Sequence, residues 1–496
     1  MFDTSFLKGE TWGFPGQAVE HVETHAAHVF LVDGRAFKIK KPVKLPYLDF
    51  SDRAKRKEVL DAELAINRVF APDLYLGVEE VRREPVLVMR RFPAHSLLAW
   101  QMAHGEIGAQ LARRLAAMAA KAHAVAPRRE TRGSDIMSGL AAQLANAFTD
   151  SPDIFHPAET LEYHGLCQSS LKQHKALLNE RSERGLVRRC HGDMHSGNII
   201  VEEGEPKLFD AIEFSEKIAT IDVLYDLAFL LMDLWTHGER TAANLVFNQY
   251  LHLRRAEEDL SGLALLPLFL STRAGVRALV TADLAHELAL KNSMKERGQA
   301  LDWFRATIAY LKPRPPVLVC IGGLSGTGKS TLAARLASGL GSAPGALHAR
   351  SDVERKVLGG VAETERLPEK SYSRQASFAV YEACFSRAER ALAAGHAVIL
   401  DAVFAQEEER RAAAELARRH AVRFAGIWLE APADVLKSRV NARRGDASDA
   451  TPEVVERQLR YDLGALDWSR ADASGTPGQV LSRVRKMLPF PAAGPA

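Results

Sequence analysis

The run GLSGTGKS at Gly323 to Ser330 constrains this chain more than any other feature, because it stands between the apolar Val317 to Ile321 and a helix-forming stretch from Thr331. Strand, glycine loop and helix in that order make a phosphate cradle. Glycines let backbone N–H groups curl around an anion, and the helix presents the positive end of its dipole. The pattern is a complete Walker A loop. It assigns Gly323, Ser325, Gly326, Thr327, Gly328 and Thr331 to nucleotide phosphates, Lys329 to the β and γ oxygens, and Ser330 to a hydroxyl ligand for Mg²⁺.

Around the loop, buried-strand runs alternate with helical stretches: VLVCIGG, STLAARLASGL, LHARSD, AVILDAVF and RFAGIWLE. Such alternation predicts an α/β domain with a parallel sheet. Asp401 ends AVILD, where a second Mg²⁺ or water-positioning carboxylate belongs; capping the next helix is the alternative. Asp352, in HARSDVERK, either meets an acceptor hydroxyl as its base or caps a helix, and Arg355 and Lys356 beside it are candidates for anionic groups. Arg439 and Arg443 fall four apart on one helical face and suit closure over a transferring phosphoryl group, with a solvated basic helix end as the alternative.

From Pro316 to about Leu488 these segments resemble the P-loop kinase group that includes gluconate kinases, zeta-toxin kinases and polynucleotide kinases. The resemblance implies phosphoryl transfer to a hydroxyl and leaves the acceptor open.

The prolines of KPRPP, Lys312 to Pro316, bar helix continuation and mark a domain boundary, giving residues 1–311 and 312–496. Before it come strand-like runs at His28 to Gly34, Ala36 to Lys41 and Val86 to Phe92, with a hairpin signal at Asp33-Gly34, and then mostly helical sequence. The expected fold is an α+β domain of small sheet plus helical lobe.

In CHGDMHSGNII, Asp193 precedes Asn198 by five residues, the spacing of a catalytic loop whose Asp takes the acceptor proton and whose Asn holds a metal. Asp210 ends the next apolar run, KLFD, and is a second metal ligand; Glu213 is an auxiliary ligand or a structural group. His191 and His195 are spaced like a zinc pair, but Gly192 and Gly197 spoil the helix that such a pair needs.

HGDMHSGN with FDAIEF resembles the aminoglycoside phosphotransferase and choline kinase family, over roughly Val22 to Tyr310. The resemblance implies a kinase-like fold acting on small-molecule hydroxyls. Within it Lys38 of AFKIKK is the ATP lysine, with Lys40 the alternative; Glu63 is its helix partner, with Glu58 the alternative; and Asp226 braces the catalytic loop. The segment THAAHVFLVDG lacks the Gly-x-Gly-x-x-Gly phosphate loop of protein kinases. The whole architecture resembles bacterial fusions of an aminoglycoside phosphotransferase with an ATP-binding domain.

A chain of 496 residues exceeds one ordinary core, and 47% hydrophobic with 26% charged residues is globular composition. The net charge of +3 raises no basic field for nucleic acid or membrane. Four scattered cysteines without a Cys-x-x-Cys pair, and an N-terminus without a basic start and apolar run, point to the cytoplasm. Asp226, Asp233 and Arg273 interrupt the most apolar stretches, which read as buried helices. Two ATP·Mg²⁺ phosphotransferase sites for small-molecule hydroxyls are therefore expected. The alternatives are an N-terminal kinase regulated by a P-loop nucleotide switch, and a C-terminal toxin-like or nucleic-acid end kinase.

Overall fold

The computed structural model describes residues 3–23, 27–45, 48–288, 293–442 and 445–490. The chain divides into two compact units, Met1–Leu140 with Lys175–Glu239, and Ala141–His174 with Arg240–Ala496.

The first unit opens with a five-stranded antiparallel sheet ordered Glu20–Glu23, Ala27–Val32, Arg35–Lys40, Glu84–Arg90, Tyr75–Val81. Asp33 takes the left-handed conformation (φ 51°) that the Asp-Gly turn requires. Period-two alternation along Arg35–Lys40 sends Phe37 and Ile39 into a core with Phe6, Trp12 and Phe30, leaving Lys38 and Lys40 on the opposite face. The helix Arg53–Asn67, capped by the Asp52 carboxylate on Lys55 N, buries Glu63 on its inner side. Beyond it a hairpin pairs Ile199–Glu202 with Glu205–Leu208, so that Asn198 and Asp210 flank its open end. The helix Val223–Thr236 is buried over most of its length and carries Asp226 and Asp233 inside. Asp222 caps it through Leu224 N and is itself clamped by the buried Arg181 at 2.7 and 2.8 Å.

In the second unit five strands are all parallel, ordered Leu347–Arg350, Val398–Asp401, Val317–Gly323, Arg423–Glu430, Ser469–Asp472. Val319, Ile321, Ile399 and Ile427 form the sheet's buried face against Leu332 and Leu336 of the helix Lys329–Ala337. The last strand, SRAD, escapes sequence reading because only Ala471 of its four residues is buried.

Packing does not follow the proline joint, which falls inside the second unit. The reason lies in the helix Arg240–Arg254: Asn244 Nδ2 donates to the carbonyls of Pro344 and Ala346 at 3.0 Å each, and Asn248 Oδ1 accepts from His348 N at 2.7 Å. Such long-range partners have no local sequence signature. Among the described residues, Glu257–Glu287 is the one stretch long and apolar enough to cross a membrane, and 67% of its most apolar window is buried in the protein.

Candidate active sites

Lys38 and Lys40 share one carboxylate. Lys38 Nζ lies 2.7 Å from Glu63 Oε1 and 2.8 Å from Asp210 Oδ1; Lys40 Nζ lies 2.8 Å from Glu63 Oε2 and 2.6 Å from Glu213 Oε1. The Lys40 contact with Glu63 is an ion pair out of hydrogen-bond alignment. Burial acts to raise the Glu63 carboxyl, but the two ammonium groups overcome it and hold the group down at about 2. Glu58, by contrast, is exposed. Glu213 is pushed up by burial and by the Glu63 charge.

Asp210 has φ 57°, a left-handed backbone uncommon outside glycine. Two buried side chains hold it there: Tyr75 Oη accepts from Asp210 N at 2.9 Å, and Asn67 Oδ1 accepts from Ala211 N at 2.8 Å. Neither residue carried a sequence signal, since each acts only through the tertiary fold.

The loop from Gly192 to Asn198 is held by two buried carboxylates. Asp226 Oδ1 accepts from Gly192 N at 3.0 Å and Oδ2 contacts His123 Nε2 at 3.2 Å, while Asp233 Oδ2 accepts from Ser196 N at 2.8 Å. Asn198 Nδ2 donates to Asp193 Oδ2 at 2.7 Å, so the Oδ1 of the same amide is the acceptor end of the side chain. His191 receives Asp193 N on Nδ1 at 3.3 Å and donates from Nε2 to the Phe209 carbonyl at 3.0 Å; burial favours this neutral form. His195 Nδ1 accepts from Gly197 N at 3.0 Å, so both histidines serve the loop backbone. His123, Cys190 and Asp226 also converge, with ligand atoms within 4.8 Å of one another. Both Asp226 oxygens are already engaged, and the cluster is a brace for the loop.

In the second unit, Gly323 (φ 139°), Gly326 (φ 88°) and Gly328 (φ 88°) shape the loop. A Cβ on Gly326 would stand 2.6 Å from the Leu436 carbonyl oxygen, so the turn admits only glycine. Thr327 Oγ1 donates to the Leu324 carbonyl at 2.8 Å, and Lys329 Nζ to the carbonyls of Gly323 (2.8 Å) and Leu324 (3.1 Å). Ser330 and Thr331 lie in the first turn of the following helix. Ser325 N donates to Gln458 Oε1 at 2.7 Å, a buried partner from the helix Pro452–Gln458 that sequence reading missed.

Asp401 is 4% exposed at its strand end. Burial acts to raise its carboxyl; the hydrogen bond from His348 and the charges of Arg350 and Lys329 bring it down to about 2. His348 Nε2 is 3.3 Å from Asp401 Oδ2 and Arg350 Nε 3.7 Å from the same oxygen. The next helix, Glu407–Arg419, is capped by Gln406, so capping is not the role of Asp401. Asp352 lies in the first turn of the helix Ser351–Leu358, whose N-cap is Arg350.

Three of the expected basic side chains hold partners of their own in this structure. Lys356 is buried and neutralised by Asp449 at 2.6 Å, and Arg355 holds the Ser371 carbonyl at 2.7 Å while lying over the Tyr372 ring; both brace the domain. Arg439 donates to the carbonyls of Ala473 (2.8 Å), Ser474 (3.1 Å) and Gly475 (3.2 Å), three acceptors that converge on its guanidinium after the last strand. Arg443 and residues 24–26 of the THAAHVFLVDG segment lie outside the described residues.

The donor sets fit a Mg²⁺ nucleotide. Asn198 and Asp210 offer hard oxygens, and the Gly323 to Ser330 turn is closed to any Cβ at Gly326.

A kinase-like lobe and a P-loop domain define the chain as an enzyme of the kinase class. Residues 37–266 match the phosphotransferase enzyme family and residues 318–462 match an AAA domain. Uncharacterized proteins of Mycobacterium tuberculosis and Mycobacterium bovis are 29% identical over 476 residues, covering 91% of this chain and 92% of each relative. Among solved structures, a choline kinase of Cryptosporidium parvum aligns at 11% identity over 62% of this chain and 96% of its own, with a TM-score of 0.43. A gluconokinase of Sinorhizobium meliloti aligns at 19% identity over 34% of this chain and 89% of its own, with a TM-score of 0.25.

Proposed function

We propose that the chain is a cytoplasmic, ATP- and Mg²⁺-dependent phosphotransferase with two sites for small-molecule hydroxyls, one in residues 1–311 and one in 312–496. The observation that carries this reading is the convergence of Lys38 on Glu63 and Asp210, together with the Asp193–Asn198 pair.

In the first site Lys38, aligned by Glu63, meets the nucleotide phosphates, and Asn198 Oδ1 and Asp210 hold the cation. Asp193 orients the acceptor hydroxyl and receives its proton. In the second site the Gly323 to Ser330 amides and Lys329 cradle the phosphates, Ser330 and Asp401 hold the cation or its water, and Asp352 meets the acceptor hydroxyl. ATP·Mg²⁺ supplies the transferable phosphoryl group with part of its charge neutralised. For Lys38 and Lys329 alike, binding means exchanging the present partners, Asp210 and two backbone carbonyls, for phosphate oxygens.

The test is ATP consumption against a panel of hydroxylated metabolites, with masses of the products recorded. Two acceptor-dependent products support two sites. Acceptor-independent hydrolysis at the P-loop would replace the second site by a nucleotide switch.

A further inference from the structure

Both carboxylates assigned to the P-loop site stand on elements held from one place earlier in the chain. The helix Arg240–Arg254 bonds through its side chains to the segment Pro344 to His348, which runs into the strand Leu347–Arg350. Asn248 Nδ2 donates to Asn244 Oδ1 (3.1 Å) and to the Ala346 carbonyl (3.2 Å), which orients the amide so that its Oδ1 faces His348 N at 2.7 Å. The His348 side chain then reaches Asp401 at 3.3 Å; a carboxylate only accepts, so Nε2 carries the hydrogen. One residue past the helix, Arg255 Nη1 contacts both oxygens of Glu354, at 2.9 and 2.8 Å. Glu354 is buried on the helix that carries Asp352, two residues away, and Arg387 Nε also lies 3.3 Å from its Oε1.

We infer that residues 244–255, although they belong in sequence to the phosphotransferase-family segment 37–266, are a positioning element of the P-loop site. Asn248 and His348 set the Asp401 carboxylate, and Arg255 sets the helix of Asp352. The inference rests on the reading of Asp401 and Asp352 as site carboxylates. It makes the P-loop site incomplete without a part of the chain that precedes the proline joint.

The test uses the full chain and a fluorescent ATP analogue titrated at a series of Mg²⁺ concentrations, reading the part of binding that Lys329→Ala removes. Asn248→Ala and His348→Ala should each raise the Mg²⁺ needed for half-saturation about tenfold, the usual loss when a partner behind a metal ligand is removed. His348→Gln, which keeps an N–H donor, should recover most of that loss, whereas a merely structural role would not distinguish donor from non-donor. If Asn248→Ala fails to fold, the two His348 variants decide alone. Unchanged Mg²⁺ dependence in folded His348→Ala, with the Lys329-dependent binding present, overturns the inference. Absence of any Lys329-dependent binding in the unmodified chain overturns the reading beneath it instead.

Discussion

Asn198 Nδ2 donates to the Asp193 carboxylate at 2.7 Å and to the carbonyl oxygen of the same residue at 3.1 Å, so the proposed base and the proposed cation ligand are locked together. Asp193→Asn should therefore preserve nucleotide binding at the first site and lower turnover by about 10²-fold or more. Product formation assigned to that site is the measurement, and a wild-type rate would remove Asp193 from the role of base.

Lys329→Ala removes the charge that now rests on the carbonyls of Gly323 and Leu324 and that would meet the β and γ oxygens. Nucleotide affinity of the second site should fall with the melting temperature unchanged. Mass spectrometry should then show one phosphorylated product lost in Lys329→Ala and the other lost in Asp193→Asn. Loss of both in Lys329→Ala would favour the switch.

Asp226→Ala leaves Gly192 N without its buried acceptor and His123 without its carboxylate. An unsatisfied buried group costs about 1–3 kcal/mol, so thermal melting should fall measurably and turnover at the first site with it. A variant as stable and active as the parent would show that Asp226 does not brace the loop.

Burial acts to raise the Asp233 carboxyl, but its hydrogen bond with His237, the charges of His237 and His195 and the hydrogen bond from Ser196 hold it at about 2. A carboxylate lowered on folding contributes stability above its ordinary value near 3.8, and that contribution is lost as pH falls towards about 2. The stability gap between the parent and Asp233→Asn, measured by denaturant titration, should be greatest near about pH 5, where the carboxylate is ionised while the imidazoles still carry charge, and shrink below about pH 4. A gap constant across that range would contradict the assignment.

The parts legible in the sequence are those whose chemistry is local. The Gly323 to Ser330 loop, the Asp193 to Asn198 spacing and the alternating strand of Lys38 each carry their signature within a few residues. Tyr75, Asn67 and Gln458 were invisible because each acts on a backbone group far away in the chain. The partners of Lys356 and Arg439 were equally invisible: Asp449 and three carbonyls far along the chain converge on basic residues whose own sequence surroundings give no sign of them.

Asn244 and Asn248 occupy backbone groups of the segment running into the outermost parallel strand, Leu347–Arg350. Cleavage at the proline joint, whether by a protease or by a gene split there, would free the released C-terminal fragment to shed that cover. Bare strand borders recruit other strands, so such a fragment should be prone to self-association and aggregation. In the intact chain the helix Arg240–Arg254 keeps those backbone groups occupied.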